Sequence, residues 1–509
     1  MHTHEASDVA IDRLLFTVHT ATLQSVVRPK SQREEMDTTK KFYINGEWID
    51  PVVLQFRDLI NPATEEICGR IAMGSAEDVN KAVDAAEAAL ALYSAQPISY
   101  RLDLLKRLKE KLQSKTDALA EAITKTIGAP TNFSRDVQVG GALTNFEAML
   151  TIAETYQPVS KVGKTSIRKE PIGVVGLITP WNYPLNQIVF KVVPALAAGC
   201  TVVLKPSEVT PLDAILFAEA VAEAGFPPGV FNLVNGDGLN VGEAISRHPK
   251  IRMVSFTGST RAGVQIAKAA ADTVKRVTQE LGGKSANIIL DDADLENAVT
   301  VGVQVCFANS GQTCDAPTLM MVPALQFSEA KIIAAAAANA HQVGDPLATS
   351  THLGPVSNVN QFEKIQTLIQ TGIDQGAQLI AGGTGRPSGL TRGFYVKPTV
   401  FAVEHQNYEI IREEIFGPVL VLIPYTDVEH AIRMANSGVY GLAGYVVSSN
   451  QDRARAVAEK LEAGMVCINY PDWDSYAPFG GYKQSGNGRE MGVLGFEEYL
   501  ETKSIVGYH

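Results

Sequence analysis

Between residues 174 and 271, short apolar runs alternate with amphipathic ones, and no other feature restricts the fold as much. The stretches 174–179, 201–204, 231–234 and 253–256 read as strands, and 187–198, 212–224, 241–247 and 261–271 read as helices. Strands separated by helices predict a parallel, doubly wound α/β sheet. Ligands in such sheets lie beyond the carboxyl ends of the strands. All four strands here run into polar, Gly or Pro loops: Pro180-Trp181-Asn182, Lys205-Pro206-Ser207-Glu208, Asn235-Gly236-Asp237-Gly238 and Thr257-Gly258-Ser259-Thr260.

A second α/β pattern spans about 283–482, with strands expected at 286–290, 377–381, 419–424, 444–447 and 465–469. Residues 75–150 are helical in pattern. Val79, Val83, Ala86 and Leu90 recur at helix spacing, as do Leu104, Leu105, Leu108 and Leu112. Ser75 followed by Asp78 resembles a capping box with Asp in the Glu position. Two β-like pieces lie outside both patterns, 159–168 with a turn at Gly163-Lys164, and 498–506. They have each other or another subunit to pair with. Unpaired strands are a liability, and pairing across subunits is the expectation.

Composition narrows the function. The 509 residues carry 44 Lys and Arg against 55 Asp and Glu, a net charge of −11. That balance disfavours a protein that coats nucleic acid or anionic membrane. No apolar run approaches the roughly 18 residues of a membrane span. The five cysteines, Cys68, Cys200, Cys306, Cys314 and Cys467, form no CxxC pair. Neither a zinc site nor a disulfide framework is indicated, and a reducing, cytoplasmic setting is expected. Residues 1–40 read as an extension without order. Glu5, Asp8 and Asp12 fit neither a secretory signal nor a transit peptide, and Met36-Asp37-Thr38-Thr39-Lys40 reads as a natural start.

Asn309-Ser310-Gly311-Gln312-Thr313-Cys314 sets a cysteine just after a small, flexible loop. A lone cysteine is usually a packing residue. Glu280-Leu281-Gly282-Gly283-Lys284 lies 34 residues upstream, where two glycines permit a tight turn. Alone, Glu280 reads as a helix-end charge. Four further motifs are Thr179-Pro180-Trp181-Asn182-Tyr183-Pro184, Lys205-Pro206-Ser207-Glu208, Glu413-Glu414-Ile415-Phe416-Gly417-Pro418 and Pro478-Phe479-Gly480-Gly481-Tyr482-Lys483-Gln484-Ser485-Gly486. Together, in this order, the six resemble the NAD(P)-dependent aldehyde dehydrogenase superfamily, over about residues 41–508.

The resemblance implies a Rossmann-like cofactor domain (41–150 and 172–282), an α/β catalytic domain (283–484) and a small β oligomerisation element (151–171 and 485–509). It implies a homodimer or homotetramer acting on a small-molecule aldehyde. The residues suit that chemistry. An aldehyde releases hydride only after a nucleophile makes it tetrahedral, and Cys314 is expected to attack. A free thiol is only a few per cent ionised at neutral pH, so some activation is expected. By resemblance, the side-chain amide of Asn182 and the Cys314 backbone N–H receive the oxyanion. Glu280 activates water to cleave the thioester, with Lys191 and Glu490 as a proton relay.

By the same likeness, NAD is the cofactor, with NADP weaker. It lies against Thr179, Pro180, Trp181, Phe256, Thr257, Leu281 and Gly282. Gly258 and Ser259 open a helix suited to pyrophosphate. Lys205, Ser207 and Glu208 attend the adenosine ribose, Glu414 and Phe416 the nicotinamide ribose, and Gly238 and Gly242 the adenine side. Matched tunnel positions are Tyr183, Asn186, Gln187, Phe190, Thr313, Asp315, Trp473 and Phe479. None is Lys or Arg, which disfavours dicarboxylic semialdehydes and favours a neutral aliphatic, aromatic or terpenoid aldehyde. Asp315, Asp472 and Asp474 suit a cationic aminoaldehyde, or are solvated loop residues. A semialdehyde dehydrogenase of the same mechanism is a further alternative. A CoA-acylating relative lacks the carboxylate base, a non-catalytic one loses Cys314 or Glu280, and a thiol hydrolase usually pairs its cysteine with His, which none of the six motifs contains. No metal is expected.

Overall fold

The computed structural model describes residues 37–508. The expectation of a disordered extension falls almost wholly outside them; its last residues, Thr38–Lys40, form a 3-10 turn. The first α/β pattern forms an eight-stranded sheet. Its order is Gly486–Asn487, Arg276–Glu280, Met253–Thr257, Val174–Ile178, Thr201–Lys205, Phe231–Leu233, Phe42–Ile44 and Glu47–Ile49. The five middle strands, from Arg276–Glu280 to Phe231–Leu233, are parallel. From Val174–Ile178 the chain steps outward twice on one side, then returns to lay Met253–Thr257 on the other. The crevice where the order reverses lies between the loops after Ile178 and Thr257, where doubly wound sheets bind ligands.

The second pattern forms a seven-stranded sheet: Gln378–Ala381, Thr399–Ala402, Val419–Tyr425, Leu319–Pro323, Ala286–Ile289, Ala443–Val447 and Met465–Ile468. All neighbours are parallel except the first pair. Leu319–Pro323 and Thr399–Ala402 were not among the expected strands, and neither was Arg276–Glu280, whose polar composition hides it. Helices Ala76–Ser94 and Ile98–Ser114 match the expected spacing. The capping box forms, with Ser75 N–H donating to Asp78 Oδ2 at 2.9 Å.

Helix Pro184–Ala198 starts where proline needs no hydrogen-bonded N–H and ends at Gly199 with φ 97°. It is buried almost all round, between the sheet and the helices of residues 98–155.

The two β-like pieces correct the expectation of pairing across subunits. Val159–Val162 and Thr165–Pro171 form a hairpin, and Leu500–Val506 adds to it antiparallel, from Leu500 opposite Pro171 to Val506 opposite Thr165. They pair with each other within one chain. Gly486–Asn487, expected in the same small element, joins the large sheet beside Arg276–Glu280. Among the described residues, no helix is long and apolar enough to cross a membrane, and no cluster of ligating side chains fits a metal.

Candidate active site

A cleft of about 160 Å³ lies at the crevice, lined by Pro180, Trp181, Asn182, Thr257, Gly258, Ser259, Glu280, Leu281, Gly282, Cys314, Gln361, Lys364, Glu414 and Phe416. Four of the six motifs meet there.

Cys314 arrives through a strained turn. After helix Leu295–Phe307, Asn309, Ser310 and Gly311 take φ of 54°, 57° and 72°. Three left-handed residues in a row are costly for L-amino acids and need support. A Cβ on Gly311 would stand 2.1 Å from the Gly417 carbonyl, so only glycine fits. The turn is pinned on every side. Asn309 Nδ2 donates to the Asn182 carbonyl at 2.9 Å, Ser310 Oγ to Gly354 O at 2.8 Å, and Gln312 Nε2 to Asn309 O at 3.0 Å. Gln138, from a π-helical turn at Phe133–Val139, also donates to the Asn182 carbonyl, at 3.1 Å.

Asn182 Nδ2 donates to Gln312 O at 3.1 Å, which fixes the amide of a residue that lines the cleft. Around Cys314, burial pushes the thiol well above its ordinary range, and Asp315, Glu280 and Glu414 push it further. None of these three neighbours is a cation that would favour the thiolate.

Glu280 ends its strand, buried, with both carboxylate oxygens free of hydrogen bonds. Burial first, then repulsion from Glu490, raises its pKa well above the usual range, against the pull of Lys191. A Cβ on Gly480 would stand 2.6 Å from Glu280 Oε1, so glycine there makes room for the carboxylate. Lys191, fully buried, donates to Thr257 Oγ1 at 2.7 Å and ion-pairs with buried Glu490. The distal half of the expected relay is therefore assembled, while no direct hydrogen bond joins it to Glu280.

The dinucleotide expectation is tested by the same cleft. Gly282 lies against Glu414, where a Cβ would stand 2.4 Å from Oε2, and Gly283 N–H donates to Glu414 Oε1 at 3.1 Å. Phe416, at φ 60°, meets Trp181 edge-on at 5.4 Å. The buried hydroxyl of Thr179 has no partner, and Ser259 caps the helix at Thr260–Ala270. The helix N-terminus at Ser259 and the Glu414 carboxylate line one cleft and fit a dinucleotide.

Residues 48–505 match the model of the aldehyde dehydrogenase family. The chain belongs to that family. A 3-succinoylsemialdehyde-pyridine dehydrogenase of a Pseudomonas species is 50% identical over 92% of this chain and 98% of its own. A mutant of aldehyde dehydrogenase C from Pseudomonas syringae, solved with NAD+ and octanal, is 51% identical over 93% of this chain and 97% of its own, with TM-score 0.92. Betaine aldehyde dehydrogenase from Staphylococcus aureus, solved with NAD+, is 36% identical over 92% and 95%, with TM-score 0.89.

In this aldehyde dehydrogenase Lys205 and Ser207, expected beside the adenosine ribose, are buried. Lys205 Nζ donates to the carbonyls of Pro206 at 2.6 Å and Gly236 at 2.7 Å, and lies 3.5 Å from Glu208. Ser207 Oγ instead accepts from Val209 N–H. Gly238 is exposed with nothing near its Cβ direction, and Gly242 meets only ordinary contacts, so packing demands neither glycine. Phe256 and Leu281 are buried, against Gly258 and Gly263.

Some of the residues expected to line a substrate tunnel touch one another. Phe190 and Phe479 share an apolar cluster with Cys314, Trp473 meets Phe479 at 5.9 Å, and Tyr183 shares a 3.0 Å hydrogen bond with Thr313. Gln187 is buried with Oε1 unpaired. Asp315 is not a solvated loop residue: Tyr445 O–H donates to its carbonyl at 3.2 Å, and burial raises its carboxyl pKa. Asp472 and Asp474 are exposed.

The sequence reading missed Gln138, Gln361, Lys364 and Arg57. Gln361 Nε2 donates to the carbonyls of Ile415 and Phe416, burial raises the Glu414 pKa with Lys364 offsetting part of the rise, and Arg57 lies 3.9 Å from Glu208. None sits in a motif. Only the fold brings them in.

Proposed function

We propose that the protein oxidises an aldehyde to its carboxylic acid with NAD, through a thioester on Cys314. The observation that carries this is the meeting of Cys314, Asn182 and Glu280 in one cleft with the strand-end loops. Bound NAD supplies the hydride acceptor, held against Trp181, Thr257, Gly282, Glu414 and Phe416. Cys314 Sγ, its proton lost to solvent water, adds to the carbonyl carbon. The side-chain amide of Asn182 and the Cys314 backbone N–H stabilise the oxygen that becomes negative. Collapse of that adduct expels hydride and leaves the thioester. Glu280 then takes a proton from water, which attacks the acyl carbon and releases Cys314. Lys191 and Glu490 hold charge behind Glu280.

Cys314→Ala should abolish oxidation while NAD still binds, and the other four cysteines should tolerate alanine. Glu280→Gln should lower steady-state turnover by roughly 10²–10⁴-fold, with one fast equivalent of NADH still formed. Near wild-type turnover in either variant overturns the assignment.

The walls favour a neutral aldehyde. The octanal complex of the Pseudomonas syringae relative supports an aliphatic tail, and the name of the Pseudomonas relative supports a semialdehyde. Engagement of Asp315 by Tyr445 argues against an aminoaldehyde. The cofactor domain takes residues 41–150 and 172–282, the catalytic domain 283–484, and the subunit-contact element 151–171 with the tail 485–509. The free edges of Val159–Val162 and Leu500–Val506 suit a homodimer or homotetramer. Five free cysteines among the described residues suit a cytoplasmic setting.

A further inference from the structure

Asn182 belongs to no helix or strand. It lies in the loop between strand Val174–Ile178 and helix Pro184–Ala198. Its amide nevertheless has to hold one orientation if it is to receive a developing negative charge. Three hydrogen bonds hold the residue. Asn182 Nδ2 donates to Gln312 O at 3.1 Å, Asn309 Nδ2 donates to the Asn182 carbonyl at 2.9 Å, and Gln138 Nε2 donates to the same carbonyl at 3.1 Å. The first two come from the turn that carries Cys314. Gln138 comes from elsewhere, the π-helical turn Phe133–Val139.

Gln138 is 1% exposed, and its amide is only half satisfied. Nε2 donates to the Asn182 carbonyl and, at 3.4 Å, to Asn309 Oδ1, while Oε1 is buried with no partner. Turning the amide over would set Oε1 against both acceptors, so its orientation is fixed. A buried acceptor left unpaired carries its whole desolvation penalty. A methionine of similar length would fill the space without that cost. Packing therefore does not account for a glutamine here, whereas donation to Asn182 does. The backbone is shaped to the same end. Gly140 N–H reaches back to Arg135 O, five residues earlier, and such π-helical turns gather at functional sites.

We infer that Gln138 is a positioning residue of the reaction: by fixing the Asn182 carbonyl it keeps the Asn182 amide aimed at the oxygen that becomes negative. Gln138 does not itself line the cleft and acts through Asn182. The inference rests on the reading of this cleft as the aldehyde site.

The test is a double-mutant cycle on the rate of first-turnover NADH formation. Gln138→Met removes the donor together with the orphan oxygen, and Gln138→Asn keeps an amide that is one methylene too short. Each should slow that step by about three- to tenfold, the range of one hydrogen bond, with aldehyde and NAD affinities unchanged. Asn182→Ala removes the oxyanion donor itself and should cost roughly 10²–10³-fold. In the Asn182→Ala background, Gln138→Met should then cost nothing further. An equal loss in both backgrounds, or a wild-type rate in both Gln138 variants, overturns the inference while the aldehyde reading stands. Loss of the thermal unfolding transition in both Gln138 variants also overturns it, because the amide would then be a requirement of folding. A wild-type rate in Asn182→Ala overturns both the inference and the oxyanion role of Asn182.

Discussion

Glu280 is a carboxylate that nothing in the protein hydrogen-bonds, and burial with Glu490 nearby lifts its pKa well above the usual range. The base works only when ionised. Turnover should therefore rise with pH along a limb lying above the ordinary carboxylate range, and fall as acid protonates Glu280. In Glu280→Gln that limb should vanish from kcat, as a pH profile would show. Glu208 makes a second residue-level prediction. A carboxylate beside the ribose accepts from a 2′-OH and repels a 2′-phosphate. NAD should be preferred over NADP by at least about tenfold in kcat/KM, or about 1.4 kcal/mol. Arg57 and Lys205 flank that carboxylate and soften the exclusion. Arg57→Ala should widen the preference, and Glu208→Thr narrow it, mainly through KM for NADP; equal use of both cofactors by the wild type would refute the placement. Cys314, Glu280 and Asn182 were legible because each sits in a distinctive motif. Gln138 was not, because one glutamine in a helical stretch carries no signal until the fold sets it 3.1 Å from the Asn182 carbonyl.

Elements were legible where hydrophobic period was clean. The strand Val174–Ile178 is a continuous buried apolar run and stood out, whereas Arg276–Glu280, which borders only a two-residue edge strand on its outer side, mixes charged and polar residues with one apolar residue. Thr399–Ala402 is too short to announce itself. Helix Leu212–Ala224 was visible in its apolar pattern, but the state of Asp213 was not. That carboxyl is buried, with Oδ2 unpaired, and desolvation lifts its pKa to about 8. The unfolded chain ionises it near pH 4. Between about pH 4 and 8 the unfolded state thus holds fewer protons than the folded one, and stability from this group falls as pH rises. Asp213→Asn should raise the thermal midpoint at pH 8, with the gain shrinking toward pH 4. Calorimetry at the two pH values checks this, and a gain that does not change with pH would refute it.

For the whole molecule, two α/β patterns and a small β element were legible from the order of runs along the chain. The pairing of distant segments was not, because nothing local tells Leu500–Val506 which edge it will meet. It meets Thr165–Pro171 in its own chain, and its other edge is left free, as is that of Val159–Val162. Removing residues 498–509 should uncover Thr165–Pro171 and give monomers or insoluble protein by gel filtration; a soluble oligomer of unchanged size would refute that role.

The closing stretch of the chain has a consequence for synthesis. Within about twenty residues it supplies the edge strand Gly486–Asn487, the counter-charge Glu490 for buried Lys191, and the last strand of the small sheet. Lys191 precedes Glu490 by 299 residues. On the ribosome, every earlier segment can be complete while that ammonium still has no partner, and an unpaired buried charge is strongly destabilising. The nascent chain must therefore have emerged past Glu490 before Lys191 can be buried beside its counter-charge. Termination before Glu490 should yield a chain for chaperones and proteases rather than a weakened catalyst.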